Sequence, residues 1–145
     1  MTDADLQQYA SDFRAAIIGN GESARMCAAI SDPLSAALSV KGVTTTVMES
    51  DLEECNHVFL KLQDGRVLDP TADQFNWRSQ RQLPGVYLGN ATTIHWGAIE
   101  RHEGRCWAPM LREFKRLAPE YSAQEVGFMV RMVLATLPAG LCELP

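Results

Sequence analysis

Hydrophobic positions recur with two different periods along the chain, and the change of period separates helical from extended segments. Over residues 3–17, Leu6, Tyr9, Ala10, Phe13 and Ile17 return every three or four residues, the spacing of one helix face. Thr2, with Asp5 three residues on, has the form of a capping box at its start. Gly19 and Gly21 break the pattern, and a second helical segment runs over 24–40 with Gly42 as its C-terminal cap. Pro33 lies inside that segment, which predicts a kink, or a break with Ser31 or Asp32 capping a second piece. The period then shortens. Residues 43–48 are rich in β-branched side chains and read as a strand, 51–54 as a polar loop, and 56–62 and 66–70 as two strands flanking Asp64-Gly65. A loop between Pro70 and Pro84 and a short strand at 86–88 follow. Two helices close the chain, 109–117 and 122–137, the second opened by the capping box Ser122-x-x-Glu125. Helices, then strands, then helices give an α+β class in one domain spanning 1–145, with no internal repeat and no linker.

Alternation along the hairpin carries a chemical consequence. In 56–62, His57, Phe59 and Lys61 share one face, and Val58, Leu60 and Leu62 the other. A two-residue turn at Asp64-Gly65 would pair Gln63 with Arg66 and put Asp69 opposite Leu60, away from His57. A three-residue loop, Gln63-Asp64-Gly65, would pair Leu62 with Arg66 and put Asp69 opposite Phe59, diagonal to His57 on one face. Glycine at position 65 accepts either turn. Only the longer loop makes a His57–Asp69 pair, and that loop is the expectation.

A thiol completes the set. A helix beginning near residue 25 would set Cys27 at its N-terminus, where unpaired N–H groups and the helix dipole favour a thiolate and an adjacent imidazolium favours it further. A thiolate nucleophile needs a base beside it, and the base needs an orienting acceptor. Cys27, His57 and Asp69 fill those roles, with the Cys27 N–H and either Asn20 or Asn56 as oxyanion donors. Each residue alone also has a structural reading: a buried small hydrophobe, a satisfied core histidine, a turn former before proline. Their conjunction at compatible spacings favours the catalytic one.

Composition narrows the function further. The chain has 145 residues, 46% hydrophobic and 21% charged, so a globular protein with its own core is expected. A net charge of −5 without a basic run argues against a nucleic-acid partner. No apolar stretch is long enough to span a bilayer, so no membrane partner is expected. The N-terminus, Met1-Thr-Asp-Ala-Asp-Leu6, is acidic and lacks the design of a signal peptide, which implies synthesis in the cytoplasm and leaves a signal-independent secretion route open. Cys27, Cys55, Cys106 and Cys142 lack CxxC spacing and are read as free thiols. Cys55 with His57, or His102 with Cys106, makes no strong zinc pattern, so neither a metal nor a cofactor is expected. Cys55 is taken as a structural neighbour of the site, His95 and His102 as surface or loop residues, and Thr71 and Gln74 as residues fixing the loop around Asp69. Most of Trp77, Trp96 and Trp107 are expected in the core, with one open to lining the cleft.

The run of Cys27, a helical stretch, Gly42, His57-Val-Phe and Asp64-Gly-Arg-Val-Leu-Asp69-Pro-Thr resembles the core of transglutaminase-like and papain-like cysteine enzymes, including bacterial toxin or effector-type domains. The resemblance covers about residues 19–88. It implies a nucleophile helix packed on a small antiparallel sheet, with Cys27 as nucleophile, His57 as base and Asp69 as its orienter. It also implies thiol-dependent hydrolysis of a protein or peptide amide, by a cysteine peptidase or a protein-glutamine deamidase, with transglutamination sharing the same steps. A catalytically inactive interaction module on the same fold is the alternative.

Overall fold

The computed structural model describes residues 1–102, 113, 116 and 120–136. Its elements in chain order are α1 (Asp3–Ile18), α2 (Cys27–Val40), β1 (Thr45–Asp51), β2 (Asn56–Leu62), β3 (Val67–Asp69), β4 (Tyr87–Gly89), β5 (Ile99–Glu100) and α3 (Ala123–Thr136), with 3-10 turns at Ala72–Arg78 and Thr93–His95. The strands form one antiparallel sheet in the order β4-β3-β2-β1-β5. The class is α+β. No described helix is long and apolar enough to cross a membrane.

Local chemistry accounts for the boundaries. Thr2 and Asp5 form the expected capping box at 3.0 and 3.1 Å, and Ser122 with Glu125 forms the one before α3. At the end of α2, the Val43 and Gly42 N–H groups donate to the Leu38 and Ser39 carbonyls, the paired bonds of a Schellman cap. Pro33 does not break α2, which runs continuously from Cys27 to Val40. β1 extends past the expected residue 48 to Asp51, because it pairs with β2 along its whole length, from Thr45↔Leu62 to Asp51↔Asn56. The two-residue strand β5 and both 3-10 turns are additions to the sequence reading. Of the expected helix over 109–117, only Glu113 and Arg116 are described, and both are helical; the rest of it lies outside the described residues.

The sheet is covered on both faces. α2 packs on β1 and β2, and α1 packs chiefly on α3. Leu34, Leu38, Val58, Leu60 and Leu68 join Phe13, Ile17 and Val130 in the main core. The opposite face of β2 is buried too: Phe59 clusters with Met48 and Val67, and Ala72, Phe75, Leu83 and Ile94 pack together in the 72–94 segment. His57 projects into this second layer. Arg14 on α1 ties that segment down, donating to the Pro70 and Gly85 carbonyls and pairing with Asp73 at 2.8 Å.

The α1–α3 contact depends on Gly127. A Cβ there would lie 2.6 Å from Ala16 Cβ and 2.9 Å from the Phe13 carbonyl oxygen, and the second is backbone that cannot rotate aside. Alanine would gain about 1 kcal/mol of helix propensity, but forcing the helices apart costs about 1–3 kcal/mol. Gly127→Ala is expected to be destabilising on balance, read as a lower urea midpoint with an unchanged slope; a raised midpoint would contradict this packing.

Candidate active site

The hairpin resolves the choice of turn. Gly65 has φ +91°, the Leu62 N–H donates to the Arg66 carbonyl at 2.8 Å, and the Gly65 N–H donates to the Leu62 carbonyl. This is the three-residue loop. Leu60 pairs with Leu68 and Lys61 with Val67, and continuing that register sets Asp69 opposite Phe59. The result is the expected pair: His57 Nε2 lies 2.6 Å from Asp69 Oδ2, and both residues are wholly buried.

A second histidine shares the same oxygen. His95 Nε2 lies 2.7 Å from Asp69 Oδ2. His95 is 3% exposed, which corrects the reading of it as a surface or loop residue. The turn at Thr93–His95 folds back because the Ser50 hydroxyl donates to the Ile94 carbonyl at 2.7 Å, and Ser50 pairs with His57 across the sheet. The Thr92 backbone N–H donates to His95 Nδ1 at 3.0 Å. A backbone N–H can only donate, so Nδ1 is the acceptor and the His95 proton sits on Nε2, aimed at Asp69. Asp69 Oδ1 accepts the Thr71 N–H at 3.1 Å. The carboxylate therefore receives three donors. Burial works to raise its pKa, but His57 and His95 bring it down to about 2.

His57 is held on its other edge as well. Gln74 Nε2 lies 2.8 Å from His57 Nδ1 and 3.2 Å from Thr71 Oγ1, so Thr71 holds Asp69 directly, and Gln74 joins Thr71 to the His57 ring. Phe75 stands edge-on to the ring at 5.0 Å and Phe59 stacks at 5.8 Å. Burial disfavours the charged ring, but the charge and hydrogen bond of Asp69, with Cys27 beside it, lift the His57 pKa to about 9. A neutral ring accepts a hydrogen bond from the Gln74 amide N–H, whereas a charged ring needs the amide turned to present its oxygen. The Thr71 hydroxyl can serve either orientation, since it both donates and accepts.

Cys27 is the first residue of α2, entered through a turn in which Arg25 adopts φ +63°. Burial pushes its thiol pKa up; the His57 ring and the Val58 and Ala28 N–H groups outweigh this and hold it below the ordinary thiol value. The geometric partner of Sγ is the Asn56 carbonyl oxygen at 4.0 Å. The hydrogen-bonded cluster is thus His57–Asp69–His95, with Cys27 at its edge and Gln74 on the ring nitrogen that a thiol would otherwise meet. Asn56 is exposed and contributes that carbonyl. Asn20 is exposed in the turn after α1, and among the described residues no hydrogen bond joins it to the cluster. Cys27 and Cys55 are free thiols, whereas Cys106 and Cys142 lie outside the described residues. Trp77 and Trp96 are 78% and 65% exposed, correcting their expected place in the core; Trp107 is outside the described residues. His102 is exposed, as expected.

His57, Asp69 and His95 form a donor set of the kind that holds metal ions. Their spacing fits hydrogen bonds better. Ligand atoms about 2.0–2.1 Å from a tetrahedral zinc stand about 3.3 Å apart, whereas both ring nitrogens lie within 2.7 Å of one carboxylate oxygen. Chelator is expected to leave the unfolding temperature unchanged, and metal analysis to find well under one equivalent; a stoichiometric metal whose removal unfolds the chain would replace the hydrogen-bond account.

Comparison with family models, curated proteins and solved structures finds no match to this chain.

Proposed function

We propose that this chain is a thiol-dependent amide hydrolase of papain-like, transglutaminase-like architecture, acting on a protein or peptide substrate. One observation carries the reading. Cys27 heads a helix packed on the strand that carries His57, and Asp69 Oδ2 holds His57 Nε2 at 2.6 Å; a thiol pKa shifted down and an imidazole pKa shifted up agree with this placement. In this reading the Cys27 thiolate attacks the amide carbonyl, and the Cys27 N–H, free of any intrahelical acceptor at the first helical position, faces the oxyanion. His57 protonates the departing amine or ammonia as the tetrahedral intermediate collapses to a thioester. His57 then takes a proton from water, which hydrolyses the thioester and frees Cys27. Peptide cleavage and glutamine deamidation differ only in the amine that leaves.

The test is incubation of wild type and Cys27→Ala with a defined peptide mixture, read by mass spectrometry. Wild type should generate new termini or ammonia-to-water mass changes and Cys27→Ala none; activity that persists without Cys27 would refute the thiol chemistry. A specific observation favours a second reading, an inactive interaction module. Gln74 holds His57 Nδ1 at 2.8 Å, and if it never yields, the ring cannot serve the sulfur.

A further inference from the structure

A cavity of about 540 Å³ is lined by Leu52 and by residues of the 78–83 and 91–96 segments. Its size suits a small-molecule ligand or a substrate side group. The chain carries a net charge of −5, yet the residues lining this cavity include two arginines, Arg78 and Arg81, and no carboxylate. Both guanidiniums are seated on aromatic rings, Arg78 at 5.8 Å from the centre of Phe75 and Arg81 at 5.6 Å from that of Tyr87. Such seats orient a cation without neutralising it. Arg78 also meets Glu54 at 3.4 Å, but the carboxylate is 75% exposed, and a pair of that kind is weak enough to be exchanged for a better anion.

The remainder of the lining combines apolar side chains with hydroxyl groups. Leu83 and Ile94 form a buried floor, the 65% exposed Trp96 a wall, and Ser79 and Thr93 contribute hydroxyl groups. We propose that this cavity is an anion-binding site for a ligand that joins a carboxylate or phosphate to a flat apolar group. The anion meets Arg78 and Arg81, and the apolar group lies on Trp96 and the Leu83–Ile94 floor. Guanidinium forks match the planar oxygens of either anion. The site adjoins the buried cluster through Thr92, which lines the cavity and whose N–H holds His95 in its tautomer. It stands independently of the hydrolase reading.

Calorimetric titration of the full chain tests it with two matched pairs of probes: phenyl phosphate against phenol, and N-acetylphenylalanine against its amide. The anionic member of at least one pair should bind saturably and about tenfold or more tighter than its neutral partner. Arg81→Gln and Arg78→Gln should each weaken the anion by about tenfold while leaving the neutral probe unchanged. Both arginines are exposed, so circular dichroism should show intact folds. Preference for the phosphate arm would mark a phosphorylated ligand, and preference for the carboxylate arm an acyl or peptide carboxylate. The proposal is overturned by equal binding of charged and neutral probes, by wild-type affinity in both arginine variants, or by no saturable binding of either anion.

Discussion

Asp69→Ala is expected to destabilise the chain by about 3–5 kcal/mol, because it strands two buried imidazole N–H groups and removes the carboxylate they share. That is a large share of the 5–15 kcal/mol that holds a domain folded. Urea unfolding should show a sharply lower midpoint; a loss under about 1 kcal/mol would mean that water reaches these rings. The same carboxylate fixes a pH dependence. The His57 pKa is raised from 6.5 to about 9, so its contribution is full below 6.5 and is lost as pH rises through 9. The Asp69 pKa is lowered from 3.8 to about 2, so its contribution is full above 3.8 and is lost as pH falls through 2. The pair should therefore add most between those limits, and Asp69→Asn should flatten that part of the stability profile.

His57→Ala is expected to slow alkylation of Cys27 by iodoacetamide at about pH 6 by tenfold or more. A free thiol with a pKa of about 8.5 is only a fraction of a per cent thiolate at that pH, and part of the gain from a lower pKa is offset by weaker nucleophilicity. Wild-type Cys27 should label ahead of Cys55, although Cys55 is exposed and Cys27 is only partly so. Asp69→Ala should slow labelling less than His57→Ala, since the ring remains. Equal labelling with and without His57, or labelling only after denaturation, would make Cys27 a core residue and favour the inactive module.

Features with a period or a turn rule were legible in the sequence. Alternation from His57 to Lys61 narrowed the hairpin to two registers, one of which sets His57 and Asp69 on one face; the glycine at position 65, which takes φ +91°, admits both, so the choice rested on the need for an orienting carboxylate. The capping boxes and Gly42 bounded three helix ends to within a few residues. His95 was not legible. It reaches Asp69 from 26 positions away through a three-residue turn with no periodicity, and the only local sign is Thr92 three residues before it, at capping-box spacing. Gln74 had a similar sign in its spacing from Thr71, but which ring nitrogen it would meet depends on the three-dimensional path of the 3-10 turn. Trp77 and Trp96 misled for another reason: large apolar residues are enriched inside, yet folded surfaces remain largely apolar, so size alone did not bury them.

The central claim is that Cys27 and His57 form a charged reactive pair. The most direct measurement is the thiolate ultraviolet absorbance of wild type minus that of Cys27→Ser, followed as pH is lowered. The account predicts a thiolate signal that disappears at a midpoint below the ordinary thiol value of about 8.5. A midpoint at or above that value would contradict it, leaving Cys27 a protonated thiol beside a histidine that serves only the fold.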